Sequence, residues 1–206
     1  MILRSAALAA TLSLVAGCGS DAEPQPKDLQ PTDTSGQQVV VDSLGLTFHV
    51  PDGWVIFEAS SPPEASDATV RALAKRLKVK ATLLTTRIRS GAMVQLYSDQ
   101  PAPRGLVDSA TVIGLLIDEL PNKEILRVQL EKAGGTEVQL SDAETAAGPA
   151  IVVSYQLTGH SSTVVFGQAA YVDVGRTVAV LTVSSTKAEQ TATLGQLVLD
   201  SVDLDS

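Results

Sequence analysis

Residues 46–54, Leu-Thr-Phe-His-Val-Pro-Asp-Gly-Trp, decide how this chain folds. Apolar and polar side chains alternate over the first five residues, which predicts a β-strand with Leu46, Phe48 and Val50 on one face. The Pro-Asp-Gly that follows is a typical turn, because proline presets φ and glycine accepts a positive φ. This turn lets the tryptophan fold back over the strand. Together with a strand at 39–41, the stretch predicts a hairpin that starts a globular domain.

Three later segments carry apolar residues at helical spacing. The first follows a capping box at 61–64, the second is capped by Asn122 and ended by Gly134-Gly135, and the third follows a capping box at 186–189. The side chains expected to be buried are Val70, Leu73, Ala74 and Leu77 on the first helix, Ile125, Leu126, Leu130 and Ala133 on the second, and Leu194, Leu197 and Val198 on the third. A further helical turn or two is expected at 83–87.

Strand patterns fill the remaining length. They are expected at 93–97, 111–117, 136–143, 150–157, 163–174 and 176–183. Because short turn sequences connect the last four, hairpins dominate, and the chain is predicted to be an α+β protein with an antiparallel sheet packed by helices. The length suits one domain at 39–206. Residues 18–38, which are polar and proline-rich, are predicted to be a disordered tether.

Several short motifs resemble the Mog1/PsbP-like family. Residues 48–54 are similar to its "f-x-V-P-x-G-W" opening. The other similar motifs are Gly148-Pro149-Ala150, Tyr155, Gly175-Arg176 with Leu181-Thr182, and Leu199-Asp200-Ser201. The resemblance covers Val39 to Leu204 and extends to actinobacterial lipoproteins of the LpqN type. It implies an αβα sandwich that acts as a binding or assembly factor without a known enzymatic site, and it transfers no functional residue.

The N-terminus resembles the leader of a bacterial lipoprotein. Residues 1–17 combine one charge, Arg4, with an apolar run at 6–15 that is too short to span a bilayer, which takes about 20 residues. Leu-Val-Ala-Gly-Cys at 14–18 resembles a lipobox, so Cys18, the single cysteine, is predicted to carry a diacylglyceryl group. The alternative is a plain signal peptide with a chance cysteine. Two or three acyl chains would anchor the mature protein to the extracytoplasmic face of the cell membrane.

Charge is unevenly placed along the chain. The formal net charge is −8, and it becomes −9 when Arg4 is removed with the leader, which argues against nucleic acid as a partner and against general attraction to anionic lipid. Between Ala68 and Ser98 there is no acidic residue. That window holds seven of the fifteen basic residues, namely Arg71, Lys75, Arg76, Lys78, Lys80, Arg87 and Arg89. They form either an ordinary solvated helix face or a patch that contacts anionic headgroups, wall polymers or an acidic partner.

Residues suited to catalysis or metal binding are sparse. His49 and His160, the two histidines, are far apart in sequence, and there is no Gly-x-Ser-x-Gly nucleophile elbow. Acidic residues such as Asp118 and Asp142 are dispersed, and Trp54 is expected to be a core residue rather than a ligand platform. We therefore expect no catalytic residue, no metal and no cofactor.

These observations favour a lipid-anchored accessory factor that binds a protein partner in envelope assembly or transport. Two alternatives stay open. An aliphatic sandwich can hold a lipid or another apolar ligand between sheet and helices, which would make the protein a carrier. An envelope hydrolase is the third interpretation, since paired carboxylates can meet in space from distant positions.

Overall fold

The computed structural model of this chain describes residues 36–90, 92–100, 106–158 and 162–205. The predicted signal peptide, Cys18 and the tether up to residue 35 lie outside the described residues, and so do the loop at 101–105 and His160. The described residues all belong to one compact unit.

Strands and helices alternate largely as the sequence patterns predict. In chain order they are β1 Gln37–Val41, β2 Leu46–Val50, β3 Val55–Glu58, α1 Ala68–Arg76, α2 Ala81–Ser90, β4 Val94–Tyr97, β5 Ser109–Leu115, α3 Lys123–Lys132, β6 Gly135–Thr145, β7 Gly148–Thr158, β8 Val164–Asp173, β9 Val178–Ser185, α4 Ala188–Ser201 and β10 Asp203–Leu204. β3 and β10 were not predicted, and the expected turn or two at 83–87 is a full helix, α2.

The strands form two antiparallel sheets. The large sheet has seven strands in the order β3-β4-β5-β9-β8-β7-β6, and the small sheet has the order β1-β2-β10. The predicted hairpin is β1 and β2, with Val39 paired to Phe48, and β10 pairs the other side of β2. The predicted α+β class, with antiparallel strands packed by helices, is therefore confirmed.

One face of the large sheet packs against α4 and the small sheet. Leu46, Phe48 and Val50, the apolar face of the predicted strand, are each at most 1% exposed in this core. α4 contributes Leu194 and Val198 to the same core. The layer between sheet and α4 is thus filled by aliphatic side chains, and Trp54, 7% exposed, closes one end of it as the predicted core residue.

The other face of the large sheet carries two separate helical cores. α1 and α2 cover the β3 end, where Val70, Leu73 and Phe57 are buried. α3 covers the β6 end through Leu126 and Val153. Helices therefore lie on both faces of the sheet, which is the αβα layering expected from the resemblance.

Several local predictions about the helices were wrong. Asp67, not Ser61, caps α1, because its carboxylate accepts the Thr69 N–H at 2.7 Å. α4 begins after Lys187 without a side-chain cap. On α3, Ile125 is 55% exposed, because the face toward the sheet is centred on Leu126.

The helix–sheet core predicts the effect of truncating Phe48. Phe48→Ala should lower the free energy of unfolding by about 3–5 kcal/mol, because removing the buried phenyl ring leaves a cavity in the core. The measurement is urea unfolding followed by Trp54 fluorescence. Val40→Ala is the matched control, because Val40 is 41% exposed on the neighbouring strand and should lose less than about 1 kcal/mol. A loss of that small size for Phe48→Ala would contradict the packing.

Candidate interaction surfaces

The predicted basic residues lie on the hairpin formed by α1 and α2. On α1, Val70 and Leu73 face the sheet, so Arg71 and Lys75, one helical turn apart, share the outward face. Lys78 lies in the connection to α2 with a positive φ of 54°. The structure thus brings the whole predicted patch onto one helical layer.

Two of the seven basic side chains bind groups of this same chain. The Arg76 guanidinium donates to the main-chain carbonyls of Ser98, at 3.4 Å, and of Asp99. Arg89 pairs with Glu64, with 3.4 Å between Nη2 and Oε1. Within the described residues the other five are exposed and have no carboxylate partner, and we call them the basic surface: Arg71, Lys75, Lys78, Lys80 and Arg87.

A buried amide fastens this layer to the sheet. Gln95 on β4 is 6% exposed, and its Nε2 donates to the carbonyls of Arg87 at 3.1 Å and Ile88 at 3.4 Å. The Tyr97 hydroxyl donates to Gln95 Oε1 at 2.8 Å, which orients the amide. Burial raises the pKa of Tyr97, and the nearby Arg87 guanidinium offsets part of that rise. The last turn of α2, with Arg87, is therefore held in a defined place.

A second surface is a trench beside β3, the edge strand of the large sheet. It has a volume of about 520 Å³. Its walls are the strand itself and the segment that leads into α1, and its lining residues are Val55, Ile56, Phe57, Glu58, Ser61, Pro63, Asp67 and Thr69. Neither this trench nor β3 was predicted from the sequence. The available signal was Val-Ile-Phe at 55–57, a short run of β-forming residues directly after the turn.

The hydrogen-bond pattern of β3 shows which main-chain groups face the trench. The Ala59 N–H donates to the Met93 carbonyl at 2.8 Å, so Ala59 faces the neighbouring strand. Residues alternate in direction along an antiparallel ladder, so Ile56 and Glu58 direct their main-chain groups off the sheet edge. The Glu58 carbonyl accepts from the Ser61 N–H at 3.2 Å. Among the described residues, the N–H and carbonyl of Ile56 and the N–H of Glu58 are left unpaired at the edge.

Two further pockets, like the trench, are open to the surface. One of about 330 Å³ lies between the β1–β2 turn and the start of β4, with Val40 and Met93 beside Asp42 and Glu58. Another of about 220 Å³ lies where β6–β8 meet the first turn of α4. Both lie at the margins of the sheets. The layer between sheet and helices, where the carrier hypothesis expects a ligand, is occupied by core side chains.

The remaining candidate residues do not converge on one site. The main-chain N–H of His49 donates to Ser201 Oγ at 2.9 Å, and its buried Nδ1 has no hydrogen-bond partner. Asp142 forms an exposed ion pair with Lys123. In the ranges that the structure describes, no group of three or more His, Cys, Asp or Glu side chains could hold a metal ion, and no helix is long and apolar enough to cross a membrane.

Comparison with known proteins gives structural similarity only. No protein-family model matches the sequence, and no curated protein matches it. Among solved structures, the Ran-binding protein Mog1p of Saccharomyces cerevisiae has a TM-score of 0.46 at 13% identity, over 82% of this chain and 95% of Mog1p. Cyanobacterial PsbP of Synechocystis has a TM-score of 0.49 at 12% identity, over 92% of this chain and 98% of PsbP.

A third similar structure is LpqN of Mycobacterium tuberculosis, described as involved in cell envelope biogenesis. Its TM-score is 0.45 at 12% identity, over 82% of this chain and 85% of LpqN. Mog1p and PsbP are the namesakes of the family that the sequence motifs resemble. Because these three TM-scores are below 0.5, the similarities support no conclusion about function, and the α+β class follows from the chain's own strands and helices.

The Tyr97–Gln95 contact predicts two effects of Tyr97→Phe. Near neutral pH the variant should lose about 0.5–1.5 kcal/mol of unfolding free energy, because Gln95 Oε1 loses its donor. Because the folded state raises the pKa of Tyr97, it holds that proton more tightly than the unfolded chain does, so stability falls as the pH rises above about 10. Tyr97→Phe should make this alkaline fall less steep.

Urea unfolding at several pH values measures both effects. Tyr171→Phe is the control, because burial also raises the pKa of Tyr171 but the hydroxyl makes no hydrogen bond to Gln95. It should lessen the alkaline fall without the loss at neutral pH. If Tyr97→Phe has the same stability as the wild type at neutral pH and the same alkaline fall, the described contact is contradicted.

Proposed function

We propose that this chain is a lipid-anchored, extracytoplasmic accessory protein without catalytic activity, which binds an extended segment of a protein partner in envelope assembly or transport. The binding role depends on one observation above all, the open edge of β3 with its trench. The location depends on the lipobox-like sequence that ends at Cys18.

The edge of β3 has the features of a site for strand addition. The carbonyls of a partner strand beside β3 would accept hydrogen bonds from the N–H groups of Ile56 and Glu58, and one of its N–H groups would donate to the Ile56 carbonyl. Main-chain hydrogen bonds would thus supply much of the affinity. Half-buried Val55 and Ile56 offer apolar contact along the trench. The exposed Glu58 carboxylate at one end favours a basic side chain on the partner.

The short length of β3 suits a regulated partner site rather than an aggregation site. Natural sheets protect their edges with short strands and charged residues, and β3 has four residues and ends in Glu58. The segment from Ser61 to Thr69 forms the opposite wall, so an added strand must lie between this wall and β3. A single extended peptide fits these limits, whereas edge-to-edge pairing of two domains does not.

Anchoring near the partner supports an accessory role. A tether of about 20 residues has a root-mean-square span of roughly 25 Å, so the domain would search only the space next to the membrane. Confinement of this kind raises the effective concentration of a weak binding site toward other envelope proteins. A short edge with three open main-chain groups can therefore suffice.

The anchor predicts a defined chemical form of the N-terminus. The mature protein from its own host should begin at Cys18 and carry two or three acyl chains, which intact mass spectrometry of the N-terminal peptide measures. Cys18→Ser should lose the acyl chains and leave the membrane fraction at physiological salt. A wild-type protein that retains residues before 18, or begins elsewhere without acyl chains, would refute the anchor.

Strand addition predicts that proline at position 58 prevents partner binding. Glu58→Pro removes the outward N–H but breaks no bond to β4, because that N–H faces away from the sheet, and edge strands tolerate proline there. Glu58→Ala removes the same carboxylate and keeps the N–H. The measurement is photo-crosslinking in intact cells from a reactive residue placed at Thr69 in the trench wall.

Crosslinking to the partner should fall roughly tenfold in Glu58→Pro relative to Glu58→Ala. Urea unfolding of the two variants tests that both domains are equally folded. Equal crosslinking in two equally stable variants would rule out strand addition at β3.

A further inference from the structure

We infer that the basic surface docks on anionic lipid headgroups of the membrane that carries the Cys18 anchor, and that this contact fixes which side of the domain faces the membrane. The inference rests on the proposed anchor for its location. It adds a second, weaker membrane contact that acts through the domain itself.

The charge distribution makes the domain strongly one-sided. The segment from Ala68 to Ser98 carries +7 with no acidic residue, so a net charge of −9 after removal of Arg4 leaves −16 for the rest of the mature chain. An anionic surface therefore repels most of the molecule and attracts one layer of it. The electric field of an anionic membrane therefore orients the domain more than it attracts it. This agrees with the negative net charge, from which no general attraction to anionic lipid is expected.

The side chains of this layer are free to meet headgroup phosphates. All five members of the basic surface are exposed, and none has a carboxylate partner within the described residues. Leu83 lies one helical turn before Arg87 and is 45% exposed. A headgroup contact through this face would also cover the Leu83 side chain, which is otherwise exposed to water.

A series of contacts leads from the first described residue to the end of α1. Gly36, the first described residue, lies against Val50: a β-carbon added to it would be 2.5 Å from the Val50 carbonyl oxygen. The turn that follows Val50 contains Gly53, where a β-carbon would be 3.1 Å from the Asp99 carboxylate. The Asp99 carbonyl in turn accepts from Arg76, at the end of α1.

These contacts lead from β1, on one face of the large sheet, to the end of α1, on the other face, at the end of the sheet where β3 begins. Lys75 in the last turn of α1, and Lys78 and Lys80 directly after it, therefore lie at the same end of the sheet as Gly36. Exposed Asp52 and Asp99 flank that end and reduce its positive charge without reversing it. We expect an anchored tether to hold this end of the sheet near the membrane, and the basic surface to select which face meets the headgroups.

The contact between the basic surface and the membrane is weak on its own, and it becomes effective only when the anchor keeps the domain close to the membrane. Each basic side chain near an anionic surface strengthens binding about fivefold, and the effect fades within a Debye length of about 8 Å at physiological salt. Without acyl chains the domain should leave the membrane at that salt. With them, the local concentration is high enough for the surface to select an orientation.

The experiment uses the full chain with Cys18→Ser, which cannot be acylated, in cosedimentation with vesicles of equal parts phosphatidylglycerol and phosphatidylcholine. Pure phosphatidylcholine vesicles provide the neutral reference. The ionic strength is about 0.01 M, where the Debye length is about 30 Å. Arg4 contributes equally to vesicle binding in every variant, because all of them retain it, so it does not affect the comparison.

Two triple variants with the same change in net charge are compared. The test variant replaces Arg71, Lys75 and Lys80 by glutamine. The control replaces three exposed basic residues elsewhere, Lys132, Arg176 and Lys187, by glutamine. Affinity for the anionic vesicles should fall on the order of one hundredfold in the test variant and much less in the control.

An equal loss in both variants, or no loss in either, would overturn the proposal. Binding to polyglutamate that needs Arg71, Lys75 and Lys80, together with vesicle binding that does not need them, would also overturn it and point to an acidic protein partner. Because the chain in this experiment carries no acyl group, its outcome is independent of whether Cys18 is lipidated, and the two proposals can fail separately.

Discussion

Burial of the apolar face of β2 is the constraint on which the rest of the structure depends. Leu46, Phe48 and Val50 lie between the large sheet and α4, and each is almost fully buried. With these three side chains fixed, β1 and β10 can pair only along the two sides of β2. The turn after Val50 then has one direction to follow, into the edge of the large sheet at β3.

The path of the chain from β2 into β3 and α1 determines where the basic surface and the trench beside β3 lie. The turn leads directly into β3, so its outer edge is left open beside the segment that enters α1. α1 runs back over the sheet and ends where β3 begins and β4 ends, so that Arg76 reaches the Asp99 carbonyl. The basic surface and the proposed strand-addition site therefore share α1 but lie on different sides of it. A membrane contact through the first leaves the second free for a protein partner.

Much of this architecture could be predicted from the sequence, because alternation and helical spacing report burial directly. The β1–β2 hairpin, the buried stripe with Val70 and Leu73, and the four long strands before α4 are examples. β3 was missed because four residues give too little alternation to separate a strand from a turn. The basic residues were found by composition, but only the structure separates Arg76 and Arg89, which have local partners, from the five that have no carboxylate partner among the described residues. The β3 edge depends on pairing between distant strands, which no local pattern encodes.

The proposed anchor and the proposed membrane contact together predict one orientation of the domain, and lysine labelling on native membranes tests it most directly. A water-soluble amine-reactive reagent is applied to intact membranes and to the detergent-extracted protein, and each lysine is quantified by peptide mass spectrometry. On membranes, Lys75, Lys78 and Lys80 should react several-fold less than after extraction, while Lys132 and Lys187 should react equally in both. Uniform labelling of all five lysines, or protection of Lys132 and Lys187 instead, would contradict the account.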